Sequence, residues 1–207
     1  MGISELVRSR PFAMAAAAVL ALMVIGAATW FVLTPATRSM AGGEALVGGP
    51  FTLTDQHGKE VTEQDFAGRH MLIYFGYTYC PDFCPMSLSN MTQALDLLPP
   101  EQAEQVVPIL ITVDPERDTV EQLAEYAPLF HPRLVALTGT PEQTKEAAKA
   151  YRVYFSKAGN VDGSDYLMDH STFIYLMGPD GQYLRHFSHS ATPEEIAAGI
   201  AASIAEA

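Results

Sequence analysis

The stretch MLIYFGYTYCPDFCPM at residues 71–86 joins a run of apolar residues to the only two cysteines of the chain. A continuous apolar run such as 71–76 is typical of a strand buried at the centre of a sheet. Cys80 and Cys84 follow it directly, and Pro85 is favoured in the first turn of a helix. The stretch therefore predicts a buried strand that leads through a loop bearing the thiols into a helix.

Strands and helices alternate through the rest of the chain. Apolar residues recur every three or four positions over 85–98, which predicts a helix that Pro99 and Pro100 end. A short hairpin is predicted upstream, with strands at 51–54 and 60–62. Downstream, the pattern predicts strands at 106–113, 134–137, 172–177 and 182–187.

Three capping patterns open the later helices. In each, a side chain that can accept a hydrogen bond from the first helical amides is followed three residues later by Glu or Gln. The pairs are Asp118 with Glu121, Thr140 with Gln143, and Thr192 with Glu195. This order of elements predicts an α/β fold of the thioredoxin-like class, with a central mixed sheet flanked by helices and an added N-terminal hairpin.

One transmembrane helix is predicted to precede this domain. Residues 12–33 carry no charge and extend roughly 33 Å as a helix, enough to cross a bilayer core of about 30 Å. Arg8 and Arg10 precede the segment, which favours a cytoplasmic N-terminus. The alternative is a cleaved signal peptide with small residues at 39 and 41, and it exports the domain as well.

The predicted organisation therefore has four parts along the chain. They are a cytoplasmic N-terminus at 1–11, an anchor at 12–33, a linker at 34–50 and the thioredoxin-like domain at 51–207. We expect a single-pass protein of the inner membrane with its soluble domain on the periplasmic side.

Charge and size restrict the function. The chain carries 24 acidic and 12 basic residues, a net charge of −12, which argues against binding to nucleic acid. A domain of this length can bury an adequate hydrophobic core without disulfide bonds. The two cysteines are therefore expected to serve chemistry: a redox pair, a metal site, or both.

The spacing of the thiols narrows that chemistry. Ordinary dithiol reductases use CxxC, whereas three residues separate Cys80 from Cys84, which leaves room for a metal ion between the sulfurs. A helix N-terminus lowers the pKa of a thiol close to it. Since Cys84 adjoins the predicted first turn, we expect it to be the more acidic of the two.

A histidine is one candidate for a third ligand. His170 stands immediately before the predicted strand at 172–177, a position that can lie beside the thiols in a sheet-based domain. Two thiolates and an imidazole favour copper, or zinc with an open fourth position. The remaining histidines are mostly interpreted as surface residues, namely His57, His70, His131, His186 and His189.

Three motifs together resemble the Sco/SenC family of membrane-anchored copper chaperones. They are YFGYTYCPDFCP at 74–85, VDPERD at 113–118 and DHS at 169–171. The resemblance implies that Cys80, Cys84 and His170 bind one copper ion, as Cu(I) or Cu(II), on a thioredoxin fold. It also implies that the protein helps to assemble the CuA centre of cytochrome c oxidase subunit II.

That assembly role can take two forms. In the first, the protein would deliver copper received from a periplasmic donor. In the second, Cys80 and Cys84 would act as a redox pair that reduces the cysteines of subunit II and is itself reduced again by a thiol reductant. Both forms depend on the same site, because an oxidised Cys80–Cys84 pair cannot hold copper.

Two other functions remain open from the sequence. One is a dedicated thiol-disulfide oxidoreductase or thiol peroxidase; against it, residues 168–173 lack the proline that faces the thiols of thioredoxin-type reductases, and His170 stands in its place. The other is a redox or copper sensor that uses the same ligands without delivering copper.

Several residues near these motifs receive structural interpretations. Turn and capping chemistry with an internal ion pair is expected for Asp114, Arg117 and Asp118. Asp169 either supports the site or shapes a turn, and Met86 is interpreted as packed or exposed rather than a ligand. Partner contact is expected for Asp82 and Phe83, and a mixture of core and site-wall positions for Tyr74, Tyr77 and Tyr79.

Overall fold

The structure, a computed structural model, describes residues 47–159 and 166–206 and the single residue Met23. Residues 46–207 form one compact unit. Among the described residues, no helix is both long enough and apolar enough to cross a membrane. The predicted anchor at 12–33 lies outside the described residues apart from Met23, as does the predicted linker up to residue 46.

Nine strands and five α-helices form within the described residues. The strands are β1 (Thr52–Asp55), β2 (Glu60–Thr62), β3 (His70–Gly76), β4 (Val106–Thr112), β5 (Val135–Thr138), β6 (Phe155–Ala158), β7 (Leu167–His170), β8 (Ile174–Met177) and β9 (Tyr183–Phe187). The helices are α1 (Phe83–Leu97), α2 (Pro100–Ala103), α3 (Val120–Tyr126), α4 (Pro141–Ala150) and α5 (Pro193–Ala205).

Seven of the strands form one mixed sheet in the order β2-β1-β5-β4-β3-β8-β9. β3 pairs in parallel with β4 and antiparallel with β8, and β4 pairs in parallel with β5. Every residue of β3 and β4 is buried, as the continuous apolar runs predict for central strands. The thioredoxin-like α/β fold is confirmed, including the N-terminal hairpin of β1 and β2.

Helix capping agrees with the sequence at two of three places. Thr140 and Thr192 form the predicted capping boxes at α4 and α5. The prediction for Asp118 is wrong, because Thr119 is the N-cap of α3 and accepts the amide of Gln122. Asp118 turns inward instead, where it is completely buried.

The Asp118 carboxylate joins the loops that follow the two central strands. It accepts hydrogen bonds from the Thr78 amide at 3.0 Å, the Thr78 hydroxyl at 2.6 Å and the Thr112 hydroxyl at 2.6 Å. These bonds replace water around the buried group, although burial still raises its pKa. The loop that carries the thiols is thereby tied to the end of β4.

The sequence did not predict the hairpin of β6 and β7, nor the short helix α2. These two strands pair only with each other within the described residues and form a second, two-stranded sheet. Their residues are mostly exposed or half-buried, so no clear alternation of apolar and polar residues marks them. In consequence His170 is the last residue of β7, and the core strand β8 starts at Ile174 rather than at residue 172.

His70 also departs from its predicted surface position. It begins β3 with only 2% of its surface exposed, and neither ring nitrogen has a hydrogen-bond partner among the described residues. Burial lowers the pKa of His70 below its ordinary value, and the carboxylate of Asp180 opposes this only in part.

We expect His70 to make folding weaker in mild acid. Since its pKa is lower in the folded than in the unfolded chain, its contribution is complete above about pH 6.5 and is lost as the pH falls below that value. In urea unfolding, the free energy of unfolding of the wild type should fall between pH 7.5 and pH 5.5, and His70→Leu should reduce that fall by up to about 1 kcal/mol. The exposed His57→Leu should leave the pH dependence as in the wild type; equal dependence in all three proteins would contradict the assignment.

Candidate metal centre

The two thiols lie where β3 gives way to α1. Cys80 is in the intervening loop and Cys84 is in the first turn of α1, which begins at Phe83, two residues earlier than predicted. Gly76, the last residue of β3, makes this approach possible: a Cβ there would lie 3.1 Å from Cys84 Sγ and 2.7 Å from the Tyr74 ring. A larger residue at 76 would displace the sulfur or the ring.

His170 reaches the same point from β7. Its Nε2 is 3.4 Å from Cys84 Sγ, although 86 residues separate the two in sequence. The ligand atoms of Cys80, Cys84 and His170 all lie within 4.8 Å of one another. No other group of three or more Cys, His, Asp or Glu side chains gathers in this way among the described residues. The structure brings together the three residues named from the sequence.

The histidine tautomer suits metal binding. His170 Nδ1 is 2.9 Å from the carbonyl oxygen of Ser171. A carbonyl oxygen only accepts, so Nδ1 carries the proton and Nε2 turns its lone pair towards the thiols. Tyr74 and Tyr77 meet the imidazole nearly edge-on, with ring centroids 6.1 and 5.8 Å away, and restrict its rotation.

The two thiols differ in acidity, and in the opposite sense to our expectation. A hydrogen bond from the Cys84 thiol, together with the backbone amides of Asp82 and Cys84, lowers the pKa of Cys80 to about 3 despite its burial. The adjacent Cys80 sulfur and complete burial raise the pKa of Cys84.

The reason lies in the position of each sulfur relative to the helix. Cys80 Sγ lies beyond the N-terminus of α1 and accepts the Cys84 amide at 3.4 Å, whereas Cys84 points into the core. The positive end of the helix therefore stabilises the Cys80 thiolate. The first proton leaves from Cys80, and a cation that binds between the sulfurs would displace the second from Cys84.

A surface cleft leads to the centre. The turn before α1 and strand β7 supply its walls, with Tyr77, Cys80, Pro81, Asp82, Phe83, Leu167, Met168, Asp169, His170 and Thr172 as lining residues. Asp82 and Asp169 are exposed on it, and Phe83 has 46% of its surface exposed. A metal ion or a partner protein can reach Cys80 and His170 through this cleft.

The tyrosines divide between core and surface as expected. Tyr74 and Tyr77 are buried beside the ligands, and the Tyr74 hydroxyl donates to Cys84 Sγ at 3.7 Å. Tyr79 is about half exposed next to Cys80, and Met86 is 40% exposed on α1.

The predicted ion pair of the VDPERD segment is also present. Arg117 Nε donates to the Asp114 carboxylate at 2.5 Å. Sequence reasoning missed Tyr166, whose hydroxyl donates to the same carboxylate at 2.8 Å. An isolated tyrosine beyond the end of a recognised motif carries no signal of such a contact.

Comparison with known proteins places these features in a family. A family model described as SCO1/SenC matches residues 39–205. The human protein named SCO1 homolog, mitochondrial, is 45% identical over 160 residues, which are 77% of this chain and 53% of the human protein. The chain thus spans about half the length of that curated relative.

Solved structures of Sco proteins are also similar to this chain. The copper-bound crystal structure of ScoI from Arabidopsis thaliana is 42% identical, with a TM-score of 0.72 over 78% of this chain and 99% of that one. BsSco, described as having a disulfide switch and as a member of the Sco family of cytochrome c oxidase assembly proteins, is 28% identical, with a TM-score of 0.59 over 76% of this chain and 93% of its own.

The unequal thiols can be measured by alkylation. Iodoacetamide should modify Cys80 of the reduced protein at nearly the same rate from pH 7.5 to pH 5, because its sulfur stays a thiolate; Cys84 should react only on unfolding. Peptide mass spectrometry separates the two sites. In urea both thiols should slow about tenfold per pH unit below their ordinary pKa. Faster modification of Cys84 in the folded protein would contradict the assignment.

Proposed function

Since the chain belongs to the SCO1/SenC family, we propose that it is a copper chaperone that binds one copper ion through Cys80, Cys84 and His170 and serves cytochrome c oxidase assembly. The observation that carries the proposal is the convergence of these three ligand atoms within 4.8 Å at the base of an open cleft.

The donor set suits copper in both oxidation states. Thiolates are soft ligands that favour Cu(I), and imidazole suits Cu(II). Cys80 is ready as a thiolate and His170 Nε2 as a lone pair, so only the Cys84 proton has to leave when copper enters. The copper is the cargo of the protein, so the site has to release it as well as bind it.

Exposed apolar side chains around the cleft support delivery to another protein. Phe83 and Leu167 line the cleft with 46% and 49% of their surfaces exposed, and Tyr79 adjoins Cys80 with 52% exposed. Such a cluster on a soluble domain is typical of a protein contact. The acceptor we propose is the CuA domain of cytochrome c oxidase subunit II, and the copper comes from a periplasmic donor.

The same proposal includes a membrane anchor. Residues 12–33 are uncharged and long enough to span a bilayer, and 34–50 would link them to the domain at 51–207. With residues 1–11 in the cytoplasm, the copper site faces the periplasmic side of the inner membrane. Anchoring would confine the chaperone to the surface where a membrane-bound oxidase is assembled.

Thiol chemistry is the second candidate, and it rests on the closeness of the sulfurs. Cys80 and Cys84 are free thiols within 4.8 Å of each other. In a reduction, the Cys80 thiolate would attack a partner disulfide, Cys84 would then close the Cys80–Cys84 disulfide, and two electrons would reach the two released partner thiols. A sensor of copper or of redox state would use the same three residues, Cys80, Cys84 and His170.

Copper titration tests the binding site. The reduced, anaerobic full-length protein should take up one Cu(I), and Cys80→Ala or Cys84→Ala should weaken binding at least about 100-fold, more than loss of a supporting hydrogen bond does. His170→Ala should affect Cu(II) more than Cu(I). His189→Ala is the matched control, because His189 contacts Phe83 at the cleft but does not belong to the group of ligand atoms formed by Cys80, Cys84 and His170. No copper uptake by the wild type would refute the proposal.

Deletion of the protein separates delivery from reduction. CuA assembly, followed by its absorption spectrum, should fail without the chain and recover on added copper if delivery is the main role. Recovery with a membrane-permeant reductant alone would assign the role to thiol chemistry instead. Normal CuA assembly in the deletion strain would exclude both roles in this pathway.

A further inference from the structure

The main sheet brings His170 to the thiols through β8, but it forms no ladder with the strand that carries His170. Its strand, β7, pairs only with β6 within the described residues, and this hairpin adds no hydrogen bonds to the seven-stranded ladder. His170 lies at the end of β7, four residues before β8 enters the main sheet. Contacts other than pairing with the main sheet therefore have to hold β7 in place if Nε2 is to stay beside the thiols.

Three side chains hold the start of β7, four residues before His170. Arg117 donates through Nε to Asp114 and through Nη1 to the carbonyl oxygen of Tyr166 at 3.0 Å. The Tyr166 hydroxyl donates to the other Asp114 oxygen at 2.8 Å, and the guanidinium carbon lies 3.7 Å from the Tyr166 ring centroid. We call Asp114, Arg117 and Tyr166 the hairpin clamp.

The clamp also contacts the thiol loop. The Arg117 guanidinium lies 4.7 Å from the ring centroid of Tyr79, the neighbour of Cys80, and 5.9 Å from that of Tyr77. The Tyr77 hydroxyl in turn accepts the Met168 amide of β7 at 3.1 Å. One cation therefore bridges the segment that carries Cys80 and the strand that carries His170.

Burial makes this connection stiff. Asp114 and Tyr166 are buried and only 15% of the Arg117 side chain is exposed, so the charges are largely shielded from water. The loss of one member would leave a buried group without its partner. The outer pair of Lys157 and Glu116 also joins the hairpin to the VDPERD segment, but it is half exposed and contributes little.

We propose that the hairpin clamp is a positioning device that holds the His170 imidazole against the two thiols and so sets how strongly the site prefers Cu(II). The inference rests on the proposed function only in taking His170 as a copper ligand. Two thiolates suffice for Cu(I), whereas Cu(II) gains from the imidazole. A loosened clamp therefore weakens Cu(II) binding while the thiol pair keeps Cu(I).

Two clamp variants test the proposal in the full-length protein. Tyr166→Phe removes only the hydroxyl bond to Asp114, and Arg117→Lys keeps the charge but removes the fork that joins Asp114 to the Tyr166 carbonyl. We expect Cu(II) affinity to fall about 10- to 100-fold, with Cu(I) affinity within about threefold of wild type. The thiolate-to-Cu(II) absorption band should move towards that of His170→Ala.

A double-mutant cycle separates positioning from general destabilisation. In a His170→Ala background the clamp substitutions should cause no additional loss of Cu(II) affinity, because their effect passes through the imidazole. Arg133→Lys is the matched control. Arg133 also donates to two backbone carbonyls, those of Ala103 and Val106, but at the opposite end of β4. It should leave the Cu(II)/Cu(I) ratio unchanged.

Several outcomes would refute the proposed positioning role of the hairpin clamp. Equal losses of Cu(I) and Cu(II) affinity, or losses that persist in the His170→Ala background, would show a merely structural role. If Arg117→Lys does not fold, the milder Tyr166→Phe decides the question. Histidine side-chain NMR of the metal-free protein gives a second readout: clamp variants should broaden or average the His170 signals, and unchanged signals would refute positioning. Wild-type protein that binds no copper would refute the proposed function, while this NMR test of the clamp would still stand.

Discussion

The antiparallel pairing of β3 with β8 is the constraint on which the metal centre depends. Tyr74, near the end of β3, pairs with Ile174, the first residue of β8. The segment that leads from β3 to the thiols and the segment that leads from His170 into β8 therefore lie at the same end of the sheet. Two segments that are far apart in sequence therefore meet at one edge of a buried sheet. The covalent path from each strand to its ligand is short, and the core holds the strands in register.

The thiol side of the centre could be predicted from the sequence because it is local. The apolar run of β3, the spacing of Cys80 and Cys84 and the proline at 85 all lie within one stretch and specify strand, loop and helix. Central strands and capping boxes carry similarly clear signals. The inclusion of His170 in the metal site was implied by a motif resemblance, because no local sequence pattern indicates how far the imidazole lies from the sulfurs.

The missed features share a physical cause, which is that they depend on tertiary contacts. The β6–β7 hairpin has little buried surface to impose an alternating pattern. It is held instead by the bond that Arg117 donates to the Tyr166 carbonyl and the bond that Tyr77 accepts from the Met168 amide. The order of thiol acidity depends on which sulfur lies beyond the helix end, and a shift of two residues in the start of α1 decides it. His70 is buried by the packing around the start of β3, not by its own polarity.

The edge strands of the main sheet affect how readily the protein associates with other copies of itself. Its outermost strands are β2, with three residues, and β9, with five; β2 exposes Glu60, and β9 exposes Tyr183, Leu184 and His186. β9 also has an irregular register beside Met177. Short edge strands and irregular register make poor templates for the addition of strands from other molecules. The main sheet is in this way protected against edge-to-edge association, while the cleft beside Cys80 and His170 remains open.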